Sequence, residues 1–165
     1  MNKIFVGIDN GLSGGITAID ENQNIIKKWV MPVIKVKKTE YDINEIINIF
    51  KYIKQLNKQT YVALEHAHVR PISGKRACFM TGLGYGIMQA LIGAFSFSYE
   101  IINPKQWQKN IFQGINTGDT KKDSILFCKR KWPEEDWTKT ERSKKAHDGL
   151  TDSACLSEFS YRVNR

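Results

Sequence analysis

The sequence predicts an α/β fold in which a five-stranded mixed sheet is flanked by helices. Three observations point there. Three short apolar runs at hairpin spacing open the chain, two more apolar runs follow later, and a helix-periodic stretch precedes each of those two. Ile4 to Ile8 reads as a buried strand. Gly14 to Ile19 and Ile25 to Met31 follow it across polar turns at Gly11–Ser13 and Asp20–Asn24. Asp42 then has the chemistry of a helix N-cap, with Glu45 three residues on and an apolar stripe of Ile43, Ile46, Ile47, Phe50 and Ile53. Tyr61 to Glu65 is a fourth strand, apolar until its terminal carboxylate. A basic loop, Arg70–Arg76, leads into a small-residue-rich helix over Phe79 to Ala94. Glu100 to Ile102 is a fifth strand, closed by Asn103-Pro104, and Pro104 suits the first turn of a short helix holding Trp107 and Ile111. Thr120 with Asp123 caps a further helix that Pro133 ends, and a last helix runs from about Ala146 to Tyr161. Three meandering strands followed by alternating helices and strands make the ribonuclease H-like plan. No repeat or linker interrupts it, so residues 1–165 are expected to form one domain of that plan.

Composition narrows the class. The 165 residues are 41% hydrophobic, and no apolar run approaches the roughly 20 residues that span a bilayer. The N-terminal segment lacks a signal-peptide core and cleavage site. Cys78, Cys128 and Cys155 are widely spaced and form no CxxC pair, which argues against a disulfide framework and against zinc. A cytoplasmic protein without a membrane role is expected. The 25 Lys+Arg against 17 Asp+Glu give a net charge of +8, which favours a polyanionic partner. Lysine and isoleucine both have AT-rich codons, so where the charges fall matters more than the total.

Four carboxylates stand out by position. Asp9 ends the first strand before Asn10-Gly11, and Glu65 ends the fourth. Asp148 and Asp152, four residues apart, share one face of the last helix. A carboxylate on an otherwise core-facing strand is costly unless it is paired or bound to metal. If the first and fourth strands are neighbours, Asp9 and Glu65 emerge side by side, and the last helix can bring Asp148 and Asp152 across them. Such a set repels itself unless divalent cations intervene. Hard oxygen donors suit Mg²⁺ or Mn²⁺, and two such ions about 4 Å apart can drive phosphodiester hydrolysis.

The words Val6-Gly7-Ile8-Asp9-Asn10-Gly11, Ala63-Leu64-Glu65 and His147-Asp148-Gly149-Leu150-Thr151-Asp152-Ser153-Ala154 resemble, in order and spacing, those of RuvC-type Holliday junction resolvases. Ser73-Gly74-Lys75, Gly82-Leu83-Gly84-Tyr85-Gly86 and Asn103-Pro104-Lys105-Gln106-Trp107-Gln108-Lys109 resemble phage-borne and organelle-type members. The resemblance spans Ile4 to about Phe159. It implies a homodimer that nicks opposing strands of a four-way DNA junction. The family's catalytic carboxylates map onto Asp9, Glu65 and Asp152, with Asp148 as the fourth. Asn10 stands where a proline is usual. Asp148 lies four residues before Asp152 where bacterial members commonly have three, which leaves open whether Asp148 or His147 completes the site.

Between Asn103 and Lys145 there are eleven basic residues against six acidic. Lys105, Lys109, Lys121 and Lys122 fall near helix starts, where they can hold phosphates. Arg70, Lys75 and Arg76 follow Glu65 and can grip a junction centre, whereas Lys129-Arg130-Lys131 reads as an exposed helix end. His66 and His68 can shuttle a proton, contact DNA or pack. Gly82, Gly86, Ala90 and Gly93 suit either a dimer seam or close packing on the sheet. Three rivals stand beside the junction nuclease. One is a ribonuclease H-like enzyme acting on RNA–DNA hybrid, other branched DNA or ribosomal RNA precursor. The others are an actin-like or sugar-kinase-type phosphotransfer domain, whose phosphate loop Gly7-Ile8-Asp9-Asn10-Gly11 with Gly14-Gly15 also resembles, and a non-catalytic DNA-binding module.

Overall fold

A computed structural model describes residues 2–68, 73–140 and 142–165. The apolar runs of the sequence become β1 (Lys3–Asp9), β2 (Gly15–Asp20), β3 (Ile25–Val30), β6 (Gln59–Glu65) and β7 (Ser98–Ile102). They form one sheet in the order β3-β2-β1-β6-β7, antiparallel through β3, β2 and β1 and parallel from β1 to β6 to β7. Mixed pairing of this kind needs crossover helices, supplied by α1 (Ile43–Gln55) and α2 (Lys75–Ala94). After the sheet come α3 (Pro104–Ile111), α4 (Thr120–Lys131) and α5 (Asp148–Asn164).

The period of two along β1 sorts the core into two layers. Ile4, Val6 and Ile8 face the cluster built with α1 and α2, through Ile46, Phe50, Ile53, Met88 and Ile92. Phe5 and Ala63 face the opposite cluster built with α3, α4 and α5, through Trp107, Cys128, Leu150, Ala154 and Phe159. Glycine lets α5 lie directly on this second face. A Cβ on Gly7 would stand 2.0 Å from the Ser153 carbonyl oxygen, and one on Gly15 would stand 2.6 Å from that of Gly149. The helix contributes small hydroxylated residues in return: Thr17 Oγ1 and Ser153 Oγ share a buried hydrogen bond of 2.8 Å.

Several expectations need correction. A second hairpin, β4 (Val33–Lys35) with β5 (Thr39–Tyr41), stands apart from the main sheet. Its three-residue strands and intervening lysines give no alternating signal. α2 starts at Lys75, so Lys75 and Arg76 are helical and not loop residues. α4 is capped by Asp119, whose side chain accepts from the Lys121 N–H; Asp123 instead turns back to accept from the Thr117 N–H at 2.8 Å. α5 begins at Asp148 and reaches Asn164. Lys131 is not part of an exposed helix end, because it pairs with the buried Glu158, which Arg162 also holds. Finally, α2 is by length and composition apolar enough to cross a membrane. Interleaved Thr81 and Gln89 hide that run, and in this fold Met80, Gly84, Met88 and Ile92 pack it onto the first core layer.

Candidate active site

Register brings the carboxylates together. Ile8 lies opposite Leu64 in the parallel β1–β6 pair, so Asp9 and Glu65 leave the same edge of the sheet side by side. Each has the parity of Phe5 and Ala63, hence both project toward the layer of α3 and α5. The close seat of α5 on Gly7 and Gly15 then sets Asp148 and Asp152, in its first two turns, over that edge.

The charges register this convergence. Burial, then Asp9, pushes Glu65 up to about 8, with the Trp107 N–H pulling down and Asp152 adding to the rise. Burial pushes Asp152 up to about 7; the Ser124 hydroxyl opposes, Asp9 and Asp148 reinforce, and Lys121 opposes. Asp9 is raised as well, by burial and by Asp148, against the Gly11 N–H and Lys121. Among the described residues, no three Asp, Glu, His or Cys side chains are drawn tightly enough to cage an ion as they stand. Asp9 lies within electrostatic reach of Glu65, Asp152 and Asp148, and the Asp148 side chain, 41% accessible, opens the set to solvent.

This electrostatic arrangement has a stability consequence. In an unfolded chain Asp and Glu ionise near pH 4. The folded protein therefore holds protons on Glu65 and Asp152 that the unfolded chain has released. The contribution of these two carboxyls to stability falls as pH rises from about 4 toward 8, opposite to a salt-bridged carboxylate. In EDTA, the melting temperature of the protein should be higher at pH 5.5 than at pH 8, and a Glu65→Gln, Asp152→Asn variant should flatten that slope. A wild-type melting temperature that rises with pH would contradict the assignment.

The neighbouring groups have definite partners. Lys121 Nζ lies 2.7 Å from Asp148 Oδ2, and that carboxylate raises the pKa of the amine. His147 caps α5: its Nδ1 accepts from the Leu150 N–H at 3.3 Å, and burial, helped by Lys139, holds it below the usual imidazole value. Asn10 donates from Nδ2 to the Glu65 carbonyl at 2.7 Å. Beyond Glu65, His66 packs against His68 and Tyr85 with ring centroids 5.1 and 5.8 Å away. Gly15 lies under the Gly149 carbonyl, and Gly149 itself is packed against Gly14, so this turn is a seat for α5 and not an open phosphate loop.

Of the cations singled out in the sequence, Lys121 reaches the carboxylates. Lys122 is exposed beside it at the start of α4, and Lys105 and Lys109 are exposed on α3. Arg76 donates from Nη2 to the Thr39 carbonyl at 2.9 Å, and Lys75 is exposed one residue before it. Arg70 lies outside the described residues. Sequence reasoning missed Trp107, whose indole N–H donates to Glu65 Oε1 at 2.9 Å. The one available signal was a tryptophan on the short helix directly after the fifth strand.

No family model matches the chain, and no curated protein matches it either. Solved structures do. One is Thermus thermophilus RuvC in complex with a Holliday junction substrate, at a TM-score of 0.61 and 11% identity, covering 99% of this chain and 97% of that one. Another is a Thermus thermophilus RuvC structure, at 0.61 and 12%, covering 99% and 96%. At such identity the likeness speaks for architecture, and over essentially its whole length the chain has the ribonuclease H-like fold of these RuvC structures.

Proposed function

We propose that the protein is a divalent-metal-dependent endonuclease that resolves four-way DNA junctions as a homodimer. The observation that carries this reading is the convergence of Asp9, Glu65, Asp148 and Asp152 on one sheet edge, with Lys121 at its rim. The donor set fits two Mg²⁺ or Mn²⁺ ions: every ligand is a hard carboxylate oxygen, and a cation would offset the burial and the mutual repulsion that hold Asp9, Glu65 and Asp152 above the usual carboxylate range. Bound there, such ions supply a nucleophile at neutral pH and charge neutralisation at the phosphate.

The chain's own residues divide the remaining work. Asp9, Glu65 and Asp152 would hold the ions, and the half-exposed Asp148, anchored by Lys121, would position the attacking water. His147 fixes the start of α5 and so the angle of Asp148. Exposed Lys105, Lys109 and Lys122 seat phosphates around the acidic gap. Lys121→Ala should slow cleavage about tenfold and reduce the salt slope of binding by about one. Cleavage rates across a salt series test this, and an unchanged rate and slope would remove Lys121 from the DNA path.

Paired nicks need two sites, and each chain offers one. The exposed side of α2 is apolar, with Phe79 66% and Leu83 39% accessible beside Gly82, Gly86 and Ala90, and it suits a second copy of the chain. Sedimentation should give a dimer that Phe79→Glu converts to monomer. The function itself is tested by cleavage of a four-way junction beside linear duplex and RNA–DNA hybrid in Mg²⁺. Preference for the junction supports the reading; equal cutting of all three, or preference for hybrid, overturns it.

A further inference from the structure

Glu65 is gripped at both ends by groups that do no chemistry themselves. Its Oε1 accepts from Trp107 Nε1 at 2.9 Å, and its carbonyl accepts from Asn10 Nδ2 at 2.7 Å. The Asn10 carbonyl in turn accepts from the Tyr41 hydroxyl at 2.9 Å. Trp107 is 1% exposed, so water cannot stand in for its bond. Tryptophan offers one N–H and no acceptor, and any large apolar side chain would fill the same volume. Burial alone does not force such a pairing, because the equally buried indole N–H of Trp137 finds no partner among the described residues. The ring is further fixed edge-on against Phe112, with centroids 5.4 Å apart.

We infer that Trp107 is a positioning residue for the metal centre, its N–H holding the Glu65 carboxylate in one orientation and tying it to α3, the helix that carries Lys105 and Lys109. A single neutral donor suits this task. It occupies one lone pair of Oε1, leaves Oε2 to be offered toward the gap, and adds no positive charge to compete with a cation. Because Trp107 sits one turn into α3, its bond makes the orientation of Glu65 depend on how that helix is seated. The inference rests on reading Glu65 as a metal ligand.

Trp107→Phe keeps a ring in the core and removes the N–H. Mn²⁺ affinity is measured by calorimetry on the wild type, Trp107→Phe, Glu65→Gln and the double variant, with thermal unfolding of each in EDTA. The expected result is about a tenfold weaker Mn²⁺ affinity in Trp107→Phe. The double variant should bind no worse than Glu65→Gln alone, since the effect passes through that carboxylate. A second measurement does not depend on Trp107→Phe folding: the near-ultraviolet circular dichroism of the indoles in wild type should change as Mn²⁺ is added, and that change should vanish in Glu65→Gln. Wild-type Mn²⁺ affinity in Trp107→Phe overturns the inference and makes Trp107 a packing residue only. So does a wild-type indole signal that ignores Mn²⁺. If Glu65→Gln itself leaves Mn²⁺ affinity unchanged, the metal reading of Glu65 fails and the inference falls with it.

Discussion

Asp9→Asn should leave a protein that still binds four-way junctions, melts at a higher temperature in EDTA at pH 8, and no longer cuts. These three effects have one source. Asp9 is the carboxylate that Glu65 and Asp152 both feel, and it lies at the centre of the acidic group. Asparagine keeps the shape and can still accept from the Gly11 N–H, which now meets Asp9 Oδ1 at 3.1 Å. The substitution therefore removes a charge with little change in packing. Without that charge Glu65 and Asp152 ionise more easily, and the metal-free fold gains on the order of 1 kcal/mol. Cleavage loses a ligand oxygen at the reacting phosphate, a matter of several kcal/mol in transition-state charge stabilisation, or a fall of about a thousandfold or more. On the proposed reading, binding would rest on lysines on α3 and α4, away from the substituted atom. Gel shifts in EDTA, melting curves and single-turnover cleavage test the three parts separately. Cleavage within tenfold of wild type, or lost junction binding at low salt, would defeat the assignment of roles.

The second large effect concerns a residue with no functional group. Gly7→Ala would place a methyl 2.0 Å from the Ser153 carbonyl oxygen and 2.2 Å from the Ser157 nitrogen, both of them backbone atoms of α5. Neither can swing aside as a side-chain tip would. The helix must lift off β1, and Asp148 and Asp152 move with it. The expected cost is about 3 kcal/mol or more, read as a lower urea midpoint, together with loss of cleavage even where the variant remains folded. A variant with near wild-type stability and cleavage would show that α5 can slide without harm, and would remove the argument that backbone contact sets the spacing of the carboxylates.

What could be read from the sequence follows from where its signals are local. Asp9 and Glu65 were visible because each ends an apolar run, and strand parity alone then places both on one face. Asp148 and Asp152 were visible through helical spacing. The β4–β5 hairpin was not, since Val33–Lys35 and Thr39–Tyr41 are too short for a period and are separated by Lys37-Lys38. Yet its Tyr41 supports the turn after Asp9 through the Asn10 carbonyl. The α4 cap was misplaced by one residue because Asp119, Thr120 and Asp123 all have capping chemistry, and tertiary context chose among them. Lys131 read as surface because its partner Glu158 lies on a different helix. Trp107 looked like core and is core; that its N–H also meets a carboxylate depends on a contact across 42 residues, which no local pattern encodes.

The placement of α5 also bears on the order in which the fold can close. Thr17 and Ser153, which lock that helix to the sheet, are 136 residues apart in the chain. Asp9 and Glu65 lie on strands that precede α5, the helix of Asp148 and Asp152, in the order of the chain. Until the final helix docks, the folding polypeptide holds half of its acidic centre and an uncovered sheet face. The acidic set is thus assembled only when α5 closes onto the sheet, through contacts that span almost the length of the chain.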